Sequence, residues 1–82
     1  MAEIHDDPRY QLLRVLLKQE RERQGLTQLE LGKRLGKDQL FVSRFESGRR
    51  QVNVIEFLDI TRAIGADPTR LLRKLVADSP AS

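Results

Sequence analysis

Residues 25–48 read GLTQLELGKRLGKDQLFVSRFESG, and the fold is decided there. Thr27 is a good helix N-cap, and Glu30 three residues later completes a capping box. The spacing predicts a short helix over residues 28–35, with Leu31 and Leu35 facing inward and Gly36 ending it. Asp38 caps a second helix over residues 39–47, with Val42 and Phe45 as its inward pair and Gly48 as its stop. Gly36 suits the sharp turn between them because that turn needs a residue tolerating positive φ. Gly32 stands in the middle of the first of these helices, where glycine costs about 1 kcal/mol relative to alanine. Close approach of the second helix, where a side chain would collide, is the physical reason to keep it.

Three more helices surround this pair. One begins near Asp7-Pro8, since proline suits a first helical turn. It carries Leu12, Leu13, Leu16 and Leu17 at helical spacing, and Gly25 closes it with a left-handed cap. After the loop Arg49-Arg50-Gln51-Val52, Asn53 caps a fourth helix, with Glu56 in the capping-box position. Phe57, Leu58, Ile60, Thr61 and Ile64 are its expected apolar stripe, and Gly65 ends it. Asp67-Pro68 starts a fifth helix striped by Leu71, Leu72, Leu75 and Val76. The division is a flexible lead over residues 1–8, an all-α domain over 9–77 and a frayed tail over 78–82, the fraying expected from Ala77 on. Five short helices with short connections make a compact all-α bundle.

The bulk properties exclude more than they select. Eighty-two residues make one small domain. With no cysteine and one histidine, no thiolate or disulfide site exists and a metal site is not expected. His5 sits in the polar lead and reads as solvated. No apolar run spans a membrane, and the N-terminus lacks the apolar stretch of a signal peptide. The absence of cysteine fits a cytoplasmic protein. The net charge of +3 allows nucleic acid as a partner without demanding it. No nucleophile with its base and no phosphate-binding glycine loop is visible, so no enzyme and no cofactor is expected.

Function rests on the outward face of the helix over 39–47. Gln39, Leu40, Ser43 and Arg44 fall together at i, i+1, i+4 and i+5, away from Val42 and Phe45. In a major groove, glutamine pairs with adenine, arginine with guanine, and an apolar side chain meets a thymine methyl. Ser43 reads equally as a base contact, a phosphate contact or filler. Leu40 and Phe41 have three readings: contact with thymine methyls or sugars, packing of Phe41 toward the fourth helix, or a patch for a protein partner. Arg49 and Arg50 read as phosphate contacts adding sequence-independent affinity, or as solvated loop. Lys33, Arg34 and Lys37 are candidates for the same basic face.

Taken together, Gly25-Leu26-Thr27-Gln28, Leu31-Gly32, Leu35-Gly36, Val42-Ser43-Arg44, Glu46-Ser47-Gly48 and the helix from Asn53 to Gly65 resemble the Cro and phage-repressor helix-turn-helix family, the xenobiotic-response-element type. The resemblance covers roughly residues 12–75, and FVSRFESGRRQVNVIEFL (41–58) resembles a bacterial subgroup of short single-domain regulators. It implies a lambda-repressor-like five-helix domain that binds DNA as a symmetric dimer with its third helix in the major groove. It also implies that Gln28 touches a phosphate and braces Gln39, and that Arg21 and Glu46 form an ion pair. The chain departs from the family at Lys37, in a turn where an apolar residue is commoner, and at the apolar Leu40 and Phe41.

The resulting expectation is a sequence-specific transcription regulator, in the repressor mode commoner for such a minimal unit, binding a palindromic double-stranded DNA operator as a homodimer. Bases are expected at Gln39, Leu40, Ser43 and Arg44, phosphates at Gln28, Arg49 and Arg50, and dimer contacts at Leu71, Leu72, Leu75 and Val76. The alternative is a protein-interaction module, an antiactivator or antitoxin, using the same fold.

Overall fold

The computed structural model describes residues 7–78. Five helices follow in the order α1 (Pro8–Arg23), α2 (Gln28–Arg34), α3 (Gln39–Ser47), α4 (Val54–Ile64) and α5 (Pro68–Asp78). Pro8, assigned to the lead, is the first residue of α1, and Asp78, assigned to the tail, continues α5, as does Ala77, where fraying was expected to begin. Met1 to Asp6, including His5, and residues 79–82 lie outside the described residues.

Local chemistry sets the helix ends. Asp7 caps α1 by accepting the backbone N–H of Arg9 at 2.9 Å. Thr27 accepts from Glu30 N at 3.0 Å while the Glu30 carboxylate accepts from Thr27 N at 2.9 Å. The same reciprocal pair joins Asn53 and Glu56 at α4, at 2.8 and 3.1 Å. Each arrangement occupies backbone donors that helix geometry leaves unpaired. The turn from α2 to α3 is closed by Gly36 at φ +69°, with Lys37 N donating to the Gly32 carbonyl at 2.8 Å.

The core sits where all five helices meet. Leu31, Val42, Phe45 and Ile60 are fully buried, and Leu16, Leu17, Phe57, Ile64 and Leu71 nearly so. Burying each such side chain stabilises the fold by roughly 1.5–3 kcal/mol. Thr61 is buried among them, and its hydroxyl donates to the Phe57 and Leu58 carbonyls at 3.0 Å. Leu58 does not join the α4 stripe. Phe57, Ile60, Thr61 and Ile64 hold the inward positions i, i+3, i+4 and i+7, and Leu58 lies about 100° further round. It is 44% exposed.

Two tertiary ties fix helices against one another, one between α2 and α3 and one between α1 and α5. A Cβ on Gly32 would lie 2.5 Å from the Asp38 carbonyl oxygen and 2.6 Å from its carbon. The start of α3 therefore runs directly over α2, as a mid-helix glycine permits. Glu20, 3% exposed on α1, receives Arg70 of α5 and Arg23 at 3.2 Å. That buried carboxylate fastens α5 to the rest of the bundle.

Candidate nucleic-acid interface

Helix α3 presents two unlike faces. Val42 and Phe45 point into the core, fully buried. Gln39, Leu40 and Arg44 are exposed, and Ser43 is half-buried between them. Leu40 is 51% exposed, an apolar side chain held out to solvent. The Asp38 carboxylate caps α3 by accepting from Phe41 N at 3.0 Å. Its C-terminal end is closed by Gly48 at φ +86°, and Arg49 N and Arg50 N both donate to the Arg44 carbonyl.

A buried polar network underlies this face. Arg21 donates to Glu46 through Nε at 2.7 Å and a terminal nitrogen at 3.1 Å, and to the Leu26 carbonyl at 2.7 Å. The two side chains are 9% and 4% exposed. Glu46 holds the Arg21 pKa above its ordinary value by accepting its hydrogen bonds, against the opposing effect of burial. The same carboxylate accepts from Gln28 Nε2 at 3.0 Å. Gln28 Oε1 in turn accepts from Gln39 Nε2 at 3.4 Å, a long and correspondingly weak contact. A chain of side chains thus runs from α1 through the end of α3 and the start of α2 to the first residue of α3. One amide N–H of Gln28 is left over for another acceptor.

The two arginines after α3 are placed differently. Arg49 is exposed and has no acidic partner among the described residues, and the same holds for Arg44. Arg50, expected at a phosphate, is also exposed, its side chain 41% accessible, and it pairs along the surface with the start of α4. Its guanidinium donates to the Glu56 carboxylate at 2.5 and 3.0 Å and to the Gln51 carbonyl at 2.8 Å. It also lies 4.9 Å from the centre of the Phe41 ring. Burial raises the Glu56 pKa, but the Asn53 backbone N–H and the Arg50 guanidinium outweigh it and hold the carboxyl below its ordinary value.

Phe41 belongs with this second cluster. Its ring meets Phe45 edge-on at 5.7 Å between centres, and Lys37 approaches it from the turn at 5.7 Å. Of its three readings, the structure adopts packing toward α4. Arg34 also leans that way and donates to the Ala63 carbonyl at 3.0 Å. Arg34 and Lys37 line a hollow of about 380 Å³ with Glu56 and Asp59, away from the exposed face of α3.

Two cations escaped the sequence reading. The Arg14 guanidinium covers Gly48, so closely that a Cβ there would lie 2.9 Å from its central carbon. Lys18 lines the same shallow hollow with Glu46 and Ser47. A cation suits the C-terminal end of a helix, where the dipole is negative. The available signal was spacing: Arg14, Lys18 and Arg21 fall at i, i+4 and i+7, so the stripe that carries the Arg21 ion pair carries these too. Of the four residues expected at a dimer contact, Leu71 is 2% exposed and belongs to the core. Leu75 packs at the core's edge, and Leu72 and Val76 are exposed at 45% and 77%. No helix among the described residues is long and apolar enough to cross a membrane.

The helix-turn-helix family model matches residues 17–71, which contain α2, α3 and α4 whole. Among solved structures, an XRE-family like protein from Pseudomonas syringae pv. tomato is 51% identical, over 89% of each chain, with a TM-score of 0.84. The clp gene regulator ClgR from C. glutamicum is 22% identical over 90% of this chain and 96% of its own, with a TM-score of 0.77, a likeness of fold. No curated protein matches the chain.

Proposed function

The chain belongs to the helix-turn-helix family of the Cro and phage-repressor, or xenobiotic-response-element, type, and on that premise we propose that it is a sequence-specific repressor of transcription. The family is one of DNA-binding transcription regulators. One observation carries the proposal: Gln39, Leu40 and Arg44 stand exposed on one face of α3, with the first of them braced through Gln28. A helix so presented fits a major groove, with its N-terminal residues at base edges. Gln39 and Arg44 read adenine and guanine edges, Leu40 meets a thymine methyl, and Ser43 adds a polar contact. Arg49 and the free amide N–H of Gln28 hold phosphates. Arg50 acts through the fold, setting Phe41 and the start of α4.

Two copies bind a palindromic operator, their α3 helices about 34 Å apart, one helical turn of DNA. The role is one of binding rather than catalysis, carried out in the cytoplasm where the operator is reached. The protein-interaction alternative needs Leu40 and Phe41 presented together. Phe41 is packed on Phe45 beneath Arg50, which leaves Leu40 alone and favours DNA.

Titration of a fluorescent random-sequence duplex at several salt concentrations tests the DNA reading. Affinity is expected to fall steeply as salt rises, because phosphate contacts release counterions. Binding that is absent at low salt refutes it.

A further inference from the structure

Glu56 makes more contacts than a capping residue needs. As the third residue of α4, its carboxylate accepts from Asn53 N at 3.1 Å and completes the capping box. The same carboxylate also takes the Arg50 guanidinium on both oxygens, at 3.0 and 2.5 Å. Arg50 reaches it from the loop after α3, next to Arg49, and the backbone N–H groups of both arginines donate to the Arg44 carbonyl. The pair lies along the surface, within reach of solvent. A guanidinium forked onto two carboxylate oxygens has the geometry in which arginine also takes a phosphate. Glu56 therefore presents Arg50 with a built-in substitute for the DNA backbone.

Magnitudes decide which acceptor keeps Arg50. One phosphate contact contributes a salt slope of about 0.9, or roughly fivefold in affinity between about 1 M and about 0.15 M salt. An exposed ion pair is worth at most about fivefold in its own equilibrium. Those two alone would be evenly matched. Arg50 has two further partners already in place, the Gln51 carbonyl at 2.8 Å and the Phe41 ring at 4.9 Å. The ring alone adds about twofold to fivefold at an exposed site. Departure of Arg50 would also leave the Glu56 charge unpaired beside an approaching polyanion, a like-charge contact. The balance favours Glu56. Arg49, without an acidic partner among the described residues, has no such alternative.

We infer that Glu56 sets how strongly this chain holds DNA of any sequence, by keeping the Arg50 guanidinium off the phosphate backbone. This rests on the DNA reading proposed above and gives it a governing residue outside the reading helix. Specific and non-specific binding are lowered together, so base preference stays with α3. The capping box makes the restraint durable, because the Asn53 backbone fixes the carboxylate that in turn fixes the arginine.

Salt titrations of a fluorescent random-sequence duplex test this with Glu56→Gln, Arg50→Ala and the double variant. Glutamine suits the same capping position, so α4 keeps its acceptor while the charge is removed. Asp59→Asn is the control for charge alone, since Asp59 lines the same hollow three residues further along α4 and has no ion pair among the described residues. Glu56→Gln is expected to steepen the slope of log affinity against log salt by about one unit and to raise affinity about twofold to fivefold at about 0.15 M salt. Adding Arg50→Ala returns both to the wild-type values. A Glu56→Gln slope no steeper than that of Asp59→Asn overturns the inference while the DNA reading stands. A steeper slope that survives the loss of Arg50 also overturns it, and assigns the gain to another cation such as Lys37 across the hollow. Arg50→Ala lowering the wild-type slope by about one unit does the same, because Arg50 is then already on a phosphate. A wild type that binds no duplex at low salt overturns the DNA reading, and the inference with it.

Discussion

Replacing Glu46 by alanine tests the network beneath the reading helix. The substitution leaves the Arg21 guanidinium, whose side chain is 9% exposed, with the Leu26 carbonyl as its remaining partner. Stranding a buried charge costs about 3–5 kcal/mol. Gln28 loses an acceptor too, but it is half-buried and water replaces part of that loss. At 0.05–0.15 kcal/mol per residue, an 82-residue domain has a total stability of about 4–12 kcal/mol. Glu46→Ala therefore removes about a quarter or more of the folding free energy. Urea denaturation followed by circular dichroism should show the midpoint falling accordingly. The double variant Arg21→Met with Glu46→Leu should recover most of the loss, because apolar pairs of similar volume replace buried ion pairs at little penalty. It should still read DNA less selectively, since Gln28 loses the anchor through which it braces Gln39. If Glu46→Ala costs less than about 1 kcal/mol, the pair behaves as an exposed one and the reasoning is wrong.

Four further outcomes follow from the same geometry. Gly32→Ala should destabilise by about 1–3 kcal/mol despite alanine's better helix propensity, because the new Cβ meets backbone at Asp38 rather than a side chain that can swing away; a thermal midpoint equal to wild type would refute the close approach. Arg44→Ala should weaken operator binding by about 1–3 kcal/mol and relax preference at one base position, whereas an equal loss on all sequences would make it a phosphate contact. Arg49→Ala should lower the slope of log affinity against log salt by about one unit, and Arg50→Ala should leave that slope unchanged while lowering stability; the reverse pattern would return Arg50 to the DNA. Hydrogen bonding from the Arg9 side chain, then its backbone N–H, holds the Asp7 pKa at about 2, below its ordinary 3.8. Since the folded value is the lower one, the contribution is present above 3.8 and is lost as pH falls toward 2, and an NMR titration of the Asp7 carboxyl in Arg9→Ala should show it raised toward the ordinary value but still below it, because the backbone N–H of residue 9 still donates.

Helix ends were legible because their chemistry is local. Thr27 with Glu30, and Asn53 with Glu56, declare themselves within four residues, and Gly25, Gly36, Gly48 and Gly65 all adopt the positive φ that ends or turns a chain. Gly32 was legible for a different reason: a residue poor for its own helix signals a neighbour. Contacts between distant elements were harder. Arg21 and Glu46, 25 positions apart, came through family resemblance. Arg50 looked like half of a basic pair because nothing in its own segment shows that Glu56, already used as a cap, turns its carboxylate to it as well. Glu20 and Arg70, 50 positions apart, followed no spacing rule at all. Periodicity placed the stripes of α4 and α5 but not their edges. It could not separate Leu71, which reaches the core, from Leu72, one step round the helix and largely exposed.

The central claim, that α3 reads sequence in two copies, is tested most directly by selecting binding sites from a random duplex library and sequencing the bound fraction. The account predicts an enriched motif of two inverted half-sites about one helical turn apart, with preferences that change when Arg44 is replaced. Recovery of unenriched sequence, with only salt-sensitive background binding, would contradict it.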